Sequence, residues 1–200
     1  MGSGSTDHPG IYTETVNRLD ALVNASVIDR DLTAPPGGET NGDVYIPAAT
    51  ATGDWATHED DIAHYWDGWI FTTPVDGFRL WVEDEHAIIA HDGTNWRTLE
   101  ALVTVADDAA VSYDAPDTFG LITVATDDVD GVGIMWFETA VATTLKLAGA
   151  TNTEVTTGAL VGTTGNDVKL TLSAHTNGKV YIENRLGASA EVRFRFLGAP

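Results

Sequence analysis

His64-Tyr65-Trp66-Asp67-Gly68-Trp69-Ile70-Phe71 sets an Asp-Gly pair between two short runs of β-favouring residues. That arrangement is the strongest short-range hairpin signal, because both central residues of a type I′ turn need positive φ. A two-residue turn here predicts that Trp66 faces Trp69 across the first rung. Ile62, His64 and Trp66 would then share one face with Trp69 and Phe71. The theme returns in Ala87–His91, the loop Asp92-Gly93-Thr94-Asn95, and Trp96. Five of the six tryptophans precede residue 97. The first half therefore reads as a unit built on aromatic-rich hairpins.

Working outward, residues 1–12 begin with a small, polar run and are expected to be flexible. Residues 13–28 carry apolar Val16, Leu19, Leu22 or Val23, and Val27 at helical spacing. This predicts one amphipathic helix within an anchoring or oligomerising segment, 13–32. A lone helix of this length needs its stripe covered, by its own β domain or by further copies of itself. Ala34-Pro35-Pro36-Gly37-Gly38 is a connector. Phe78, Leu80 and Val82 alternate with Arg79, Trp81 and Glu83, as a half-buried strand would. Residues 98–110 fit a short helix or a strand equally. Asp107–Asp117 reads as a polar hinge, which divides an aromatic-rich β domain, 33–110, from a second domain, 111–200.

Beyond the hinge the pattern is almost purely β. Leu170 and Leu172 alternate with polar neighbours, Asn177-Gly178 signals a second two-residue hairpin, and Val192, Phe194 and Phe196 alternate with Arg193 and Arg195. Many short strands with Gly, Asn and Thr turns predict an antiparallel β-sandwich or jelly roll. The predicted class is mainly β, with one N-terminal helix.

Composition narrows the function. Ten Lys plus Arg stand against thirty Asp plus Glu, a formal charge of −20. This sign opposes nucleic-acid binding, which requires cations along the phosphates. The charge is concentrated early: residues 1–110 hold 4 basic and 20 acidic side chains, residues 111–200 hold 6 and 10. It reads as a solubilising surface or as divalent-cation sites. Without cysteine there are no disulfides, thiolate metal sites or thiol nucleophiles. No apolar run reaches membrane-spanning length, so no membrane insertion is expected.

Sugar-binding sites set aromatic faces beside carboxylates and amides that take hydroxyl hydrogen bonds. Trp81 with Glu83, and Trp55 with Asp54, fit that pattern. The competing reading makes each tryptophan a core residue of a small hairpin domain. Asp127, Asp128 and Asp130 alternate before Gly131, faintly like a calcium loop, but the remaining ligands and the distal Glu are missing. No other cofactor is suggested. His58 and His64 lack zinc-protease spacing, and Glu83-Asp84-Glu85-His86 reads as a solvated turn. There is no nucleophile elbow, phosphate loop or dinucleotide fingerprint, so no enzyme is expected.

Several blocks occur in a familiar order: Asn17–Val23, Val27–Pro36, Gly42–Ile46, Ala51–Ala56, Trp66–Trp69 and His91–Trp96. Over about residues 13–97 they resemble a domain family of unknown biochemical role. That domain is found in phage and gene-transfer-agent fibre, spike and minor structural proteins, mostly from alphaproteobacteria. Gly162–Asp167 and Ser173–Arg185 are similar to the β-rich C-terminal module of such proteins. The resemblance implies a non-enzymatic virion structural protein, assembled in the bacterial cytoplasm, forming part of a head spike, head fibre or tail fibre. It implies as partners further copies of itself (a trimer or pentamer), other capsid or tail proteins, and a host cell-surface polysaccharide. A capsid-stabilising or adaptor protein without a receptor, and a capsule-degrading spike, are the alternatives. No catalytic residue is implied.

Overall fold

The computed structural model describes residues 15, 16, 19, 22, 23, 26–127 and 131–197. Fifteen strands occur among them. They are β1 (Ser26–Val27), β2 (Val44–Tyr45), β3 (Ile62–Tyr65), β4 (Trp69–Thr72), β5 (Arg79–Val82), β6 (Ala87–His91), β7 (Trp96–Val105) and β8 (Ala109–Asp114). After these come β9 (Phe119–Thr126), β10 (Gly133–Glu138), β11 (Thr143–Gly149), β12 (Thr153–Thr157), β13 (Lys169–Ala174), β14 (Lys179–Arg185) and β15 (Ala190–Leu197). The class is mainly β.

The expected helix needs correction. Most of 13–28 lies outside the described residues; Thr15, Val16, Leu19, Leu22 and Val23 have helical backbone conformation, but no α-helical element is defined among the described residues. Its expected C-terminal end is strand: Ser26 and Val27 pair in parallel with Trp81 and Val82. The predicted flexible segment, 1–12, also lies outside the described residues.

Two compact units divide the chain. One runs to Pro74 and includes Leu80–Asp84; the other comprises Val75–Arg79 and the chain from Glu85. The expected boundary near 111 thus falls inside the second unit, and the expected hinge is largely strand β8, paired with β14.

In the first unit, β2, β3 and β4 form an antiparallel sheet. The hairpin exists, but its register differs by one from a two-residue turn. Tyr65 pairs with Trp69, leaving Trp66, Asp67 and Gly68 as a three-residue loop with Asp67 at φ 54° and Gly68 at φ 153°. One position of slip exchanges the faces of a strand. Trp69 and Phe71 therefore share their face with Tyr65 and Ala63, not with Ile62 and His64, and Trp66 stands at the loop tip. Tyr45, Ala51, Trp55 and Ala63 are the buried cluster on that face, with Ile28, Leu32, Trp69 and Phe71 packed against it.

In the second unit, β6, β7, β15, β9, β10 and β11 lie side by side in that order, all antiparallel. A second sheet has the order β12-β13-β14-β8. Its β12–β13 pair is parallel, correcting the purely antiparallel expectation. The inner face of the larger sheet carries Ile122, Val124, Met135, Phe137, Val192, Phe194 and Phe196, all buried. Tyr113 of the smaller sheet lies 4.3 Å, centroid to centroid, from Phe194. The Asn177-Gly178 turn also differs from expectation. The His175 N–H bonds the Lys179 carbonyl, the Gly178 N–H bonds the His175 carbonyl, and Gly178 has φ 83°. This is a three-residue loop closed by a glycine in the left-handed region.

Candidate functional site: an aromatic cleft beside a polar one

The residues singled out from sequence lie apart. Trp55 is fully buried, with ring centroids 5.6 Å from Tyr45 and 5.0 Å from Trp69. It sits on a single turn of 3₁₀ helix, Gly53–Trp55, that directs Asp54 to solvent and the indole inward. Trp55 thus offers no face to a sugar, and the pairing with Asp54 is corrected: burial separates the two. Trp81 is 39% exposed on the outer side of β5, while Leu80 and Val82 are buried, as the alternation requires. The Ser26 hydroxyl donates to Glu83 Oε1 at 3.0 Å, so one carboxylate oxygen beside Trp81 is already engaged.

Asp127 is exposed, and its N–H bonds the Glu191 carbonyl at 3.2 Å. Asp128 and Asp130 lie outside the described residues. Among the described residues no group of three His, Cys, Asp or Glu side chains is placed to hold a metal ion.

The Gly162-Thr163-Thr164-Gly165 segment is a backbone nest filled from within. Glu183, fully buried on β14, accepts the N–H groups of Gly162 (2.7 Å) and Thr164 (3.0 Å) on Oε1 and of Gly165 (2.6 Å) on Oε2. A nest of N–H groups is an anion site, and here the chain supplies the anion. Gly162 has φ +101°, and a Cβ there would lie 2.2 Å from the Asp108 carbonyl oxygen. Nearby, burial pushes the Glu154 carboxyl up, but the Asn166 side chain and N–H, the Thr171 hydroxyl and Lys169 outweigh it and hold the group below its usual range.

Two adjoining depressions in the second unit combine aromatic surface with polar groups. The first, about 420 Å³, is lined by Phe119, Leu121, Trp136 and Leu197, with Pro116 and Asp117 at one side. Register explains it: Leu197 pairs with Leu121, Leu121 with Trp136, and Trp136 with Leu145, a cross-strand row on the outer face of β15, β9, β10 and β11. Phe119 lies two residues before Leu121, hence on the same face, and is 60% exposed. Gly120, Phe137 and Phe196 also line the depression, and a Cβ at Gly120 would meet the Phe137 ring at 3.2 Å.

The second depression, also about 420 Å³, shares Pro116 and Asp117 and is lined by Arg97, Asp114, Thr118 and Asn177. The segment between β8 and β9 is fixed by short bonds. Thr139 donates its N–H (2.7 Å) and hydroxyl (3.1 Å) to the Thr118 carbonyl, and Asp117 Oδ1 accepts the Thr118 N–H at 2.6 Å. Arg97 Nε is 2.8 Å from Asp92 Oδ2, and Lys179 Nζ is 2.9 Å from Asp114 Oδ1. Burial raises the Asp92 pKa, but the Asn95 and Thr94 N–H groups and Arg97 outweigh it, leaving a pKa of about 2.

Apolar walls beside a few fixed polar groups suit an uncharged, hydroxyl-rich ligand, and this volume is in the range of small-ligand clefts. Sequence reading missed this site because Phe119 and Trp136 meet only through the β9–β10 register. The segment between β8 and β9, with its Pro and Asp, carried a signal for a loop but none for a cleft.

No curated protein matches the chain. Residues 12–97, which end just inside β7, match the model of a family described as protein of unknown function (DUF2793).

Proposed function

We propose that this chain is a non-enzymatic structural and attachment protein of a tailed phage or gene transfer agent, part of a head spike, head fibre or tail fibre. In this reading the first unit is the base and the second is the displayed β-sandwich or jelly-roll module, which touches a host-surface polysaccharide. The observation that carries it is the cleft, where exposed Phe119 and half-buried Trp136 stand beside hydrogen-bonding groups on the β8–β9 and β13–β14 loops. Contact at one such site is weak, and copies on one particle raise the effective concentration. Val16, Leu19 and Val23, exposed by 61%, 58% and 70%, follow three-and-four spacing and support self-assembly as a trimer or pentamer.

The test compares adsorption to host cells of particles with and without this chain. Intact particles lacking it should adsorb at least about tenfold more slowly, the loss expected when a multivalent contact disappears. Normal adsorption would leave only a capsid-stabilising or adaptor role.

A further inference from the structure

The geometry points to an uncharged polysaccharide as the occupant of the Phe119–Trp136 cleft, with Asp117 as the residue that turns acidic polymers away. This rests on the attachment reading above and adds the ligand class.

The charges around the cleft carry the argument. Arg97, which lines its polar part, is engaged by Asp92, and Lys179 beside it is engaged by the lining Asp114. Asp117, which lines both depressions, is exposed; its Oδ1 faces Thr118, and among the described residues Oδ2 takes no hydrogen bond. The cleft therefore presents a net carboxylate on a chain of formal charge −20. A uronate-, sialate- or phosphate-bearing polymer would meet repulsion both at the site and from the whole molecule. A neutral pyranose meets none. Its C–H face can lie on the Trp136 and Phe119 rings, and its hydroxyls can donate to Asp117 and pair with the Asn177 and Thr118 side chains. Because such contact involves no ion release, affinity should be nearly independent of salt, whereas charge-driven binding is screened within about 8 Å at physiological ionic strength.

The experiment incubates the full chain with an array of neutral polysaccharides and of uronate-, sialate- and phosphate-bearing ones, at low and high salt. The expected result is retention on neutral polymers only, changing less than about twofold with salt. Trp136→Ala and Phe119→Ala should each weaken it at least about tenfold. Phe119 is the more exposed, so that variant keeps the test decisive if Trp136→Ala fails to fold. Asp117→Lys should create salt-sensitive retention on uronate polymers. Preference of the parent chain for acidic polymers would overturn the inference while leaving attachment standing. Neutral binding untouched by both ring variants would overturn the site. Retention on no polymer would remove the attachment reading and the inference together.

Discussion

The two units use tryptophan differently. In the first, β1 to β4 and most of β5, each two to four residues long, bury Val27, Val44, Ile62, Leu80 and Val82, and a cluster of rings adds to them: Tyr45, Trp55, Trp69 and Phe71 around Ala51 and Ala63. In the second, ten longer strands bury Ile, Leu, Val and Met together with Phe137, Phe194 and Phe196, while Phe119 and Trp136 lie on an outer face. Fastening is shared: in the first unit Glu39, Asp43 and Glu59 accept the N–H groups of Gly37, Thr40 and Ala51. The second unit ties its loops with carboxylates: Glu183 holds the 162–165 segment, Asp92 the β6–β7 loop, and Glu154 the Asn166 turn. An indole is thus more informative about function where indoles are few. Where they are many, some serve the interior, as Trp55 does.

The largest effect that would break this contrast is at Trp55. Trp55→Ala should cost about 3–5 kcal/mol, the range for emptying a buried aromatic site. It should abolish the near-ultraviolet circular dichroism of the clustered rings at a lower temperature than in the parent. Trp55→Phe should be milder, since the indole N–H finds no acceptor among the described residues. A loss below 1 kcal/mol in the alanine variant would show that the ring cluster is not the core.

Next is Glu183. Glu183→Gln keeps the shape but leaves one acceptor oxygen for three N–H groups, a cost of about 2–3 kcal/mol. Urea titration should show the lower midpoint, and limited proteolysis should cut within residues 160–168. An unchanged midpoint would mean that the carboxylate is incidental to the loop.

The smallest effect is at Asp92. Its folded pKa, about 2, lies below the ordinary 3.8. The ion pair and turn bonds therefore add stability above pH 4 that disappears as pH falls through 2. The side chain is partly exposed, so screening reduces this to on the order of 1 kcal/mol. Asp92→Asn should lose that amount at pH 7 and converge with the parent near pH 2. Parallel curves at all pH values would remove the assignment.

Much of the fold was legible where one face of a strand is buried and the other wet. Leu80 and Val82 against Arg79 and Trp81, and Val192, Phe194 and Phe196 against Arg193 and Arg195, follow period two. Registers were not legible at Asp67-Gly68 or Asn177-Gly178, because the same dipeptides also serve three-residue loops, and a one-residue change inverts every face. Residues 98–110 were ambiguous for a physical reason. The β6–β7 pairing shifts between Ile88 and Ile89, so Leu99 is passed over while Thr98 and Glu100 pair, and adjacent Thr98 and Leu99 are both buried. That bulge erases alternation. The cleft was hidden because its rings are distant in sequence and its polar part is built on the stretch read as a hinge.

The strand β15 lies between β7 and β9, pairing Phe194 with Ala101 on one side and Val124 on the other. The sheet's central plank is thus laid after its flanks. During synthesis the edges of β7 and β9 stay open until Leu197 clears the ribosome, and open edges are templates for pairing with other chains. Until β15 arrives, the β7 edge of one nascent chain can therefore pair with the β9 edge of another.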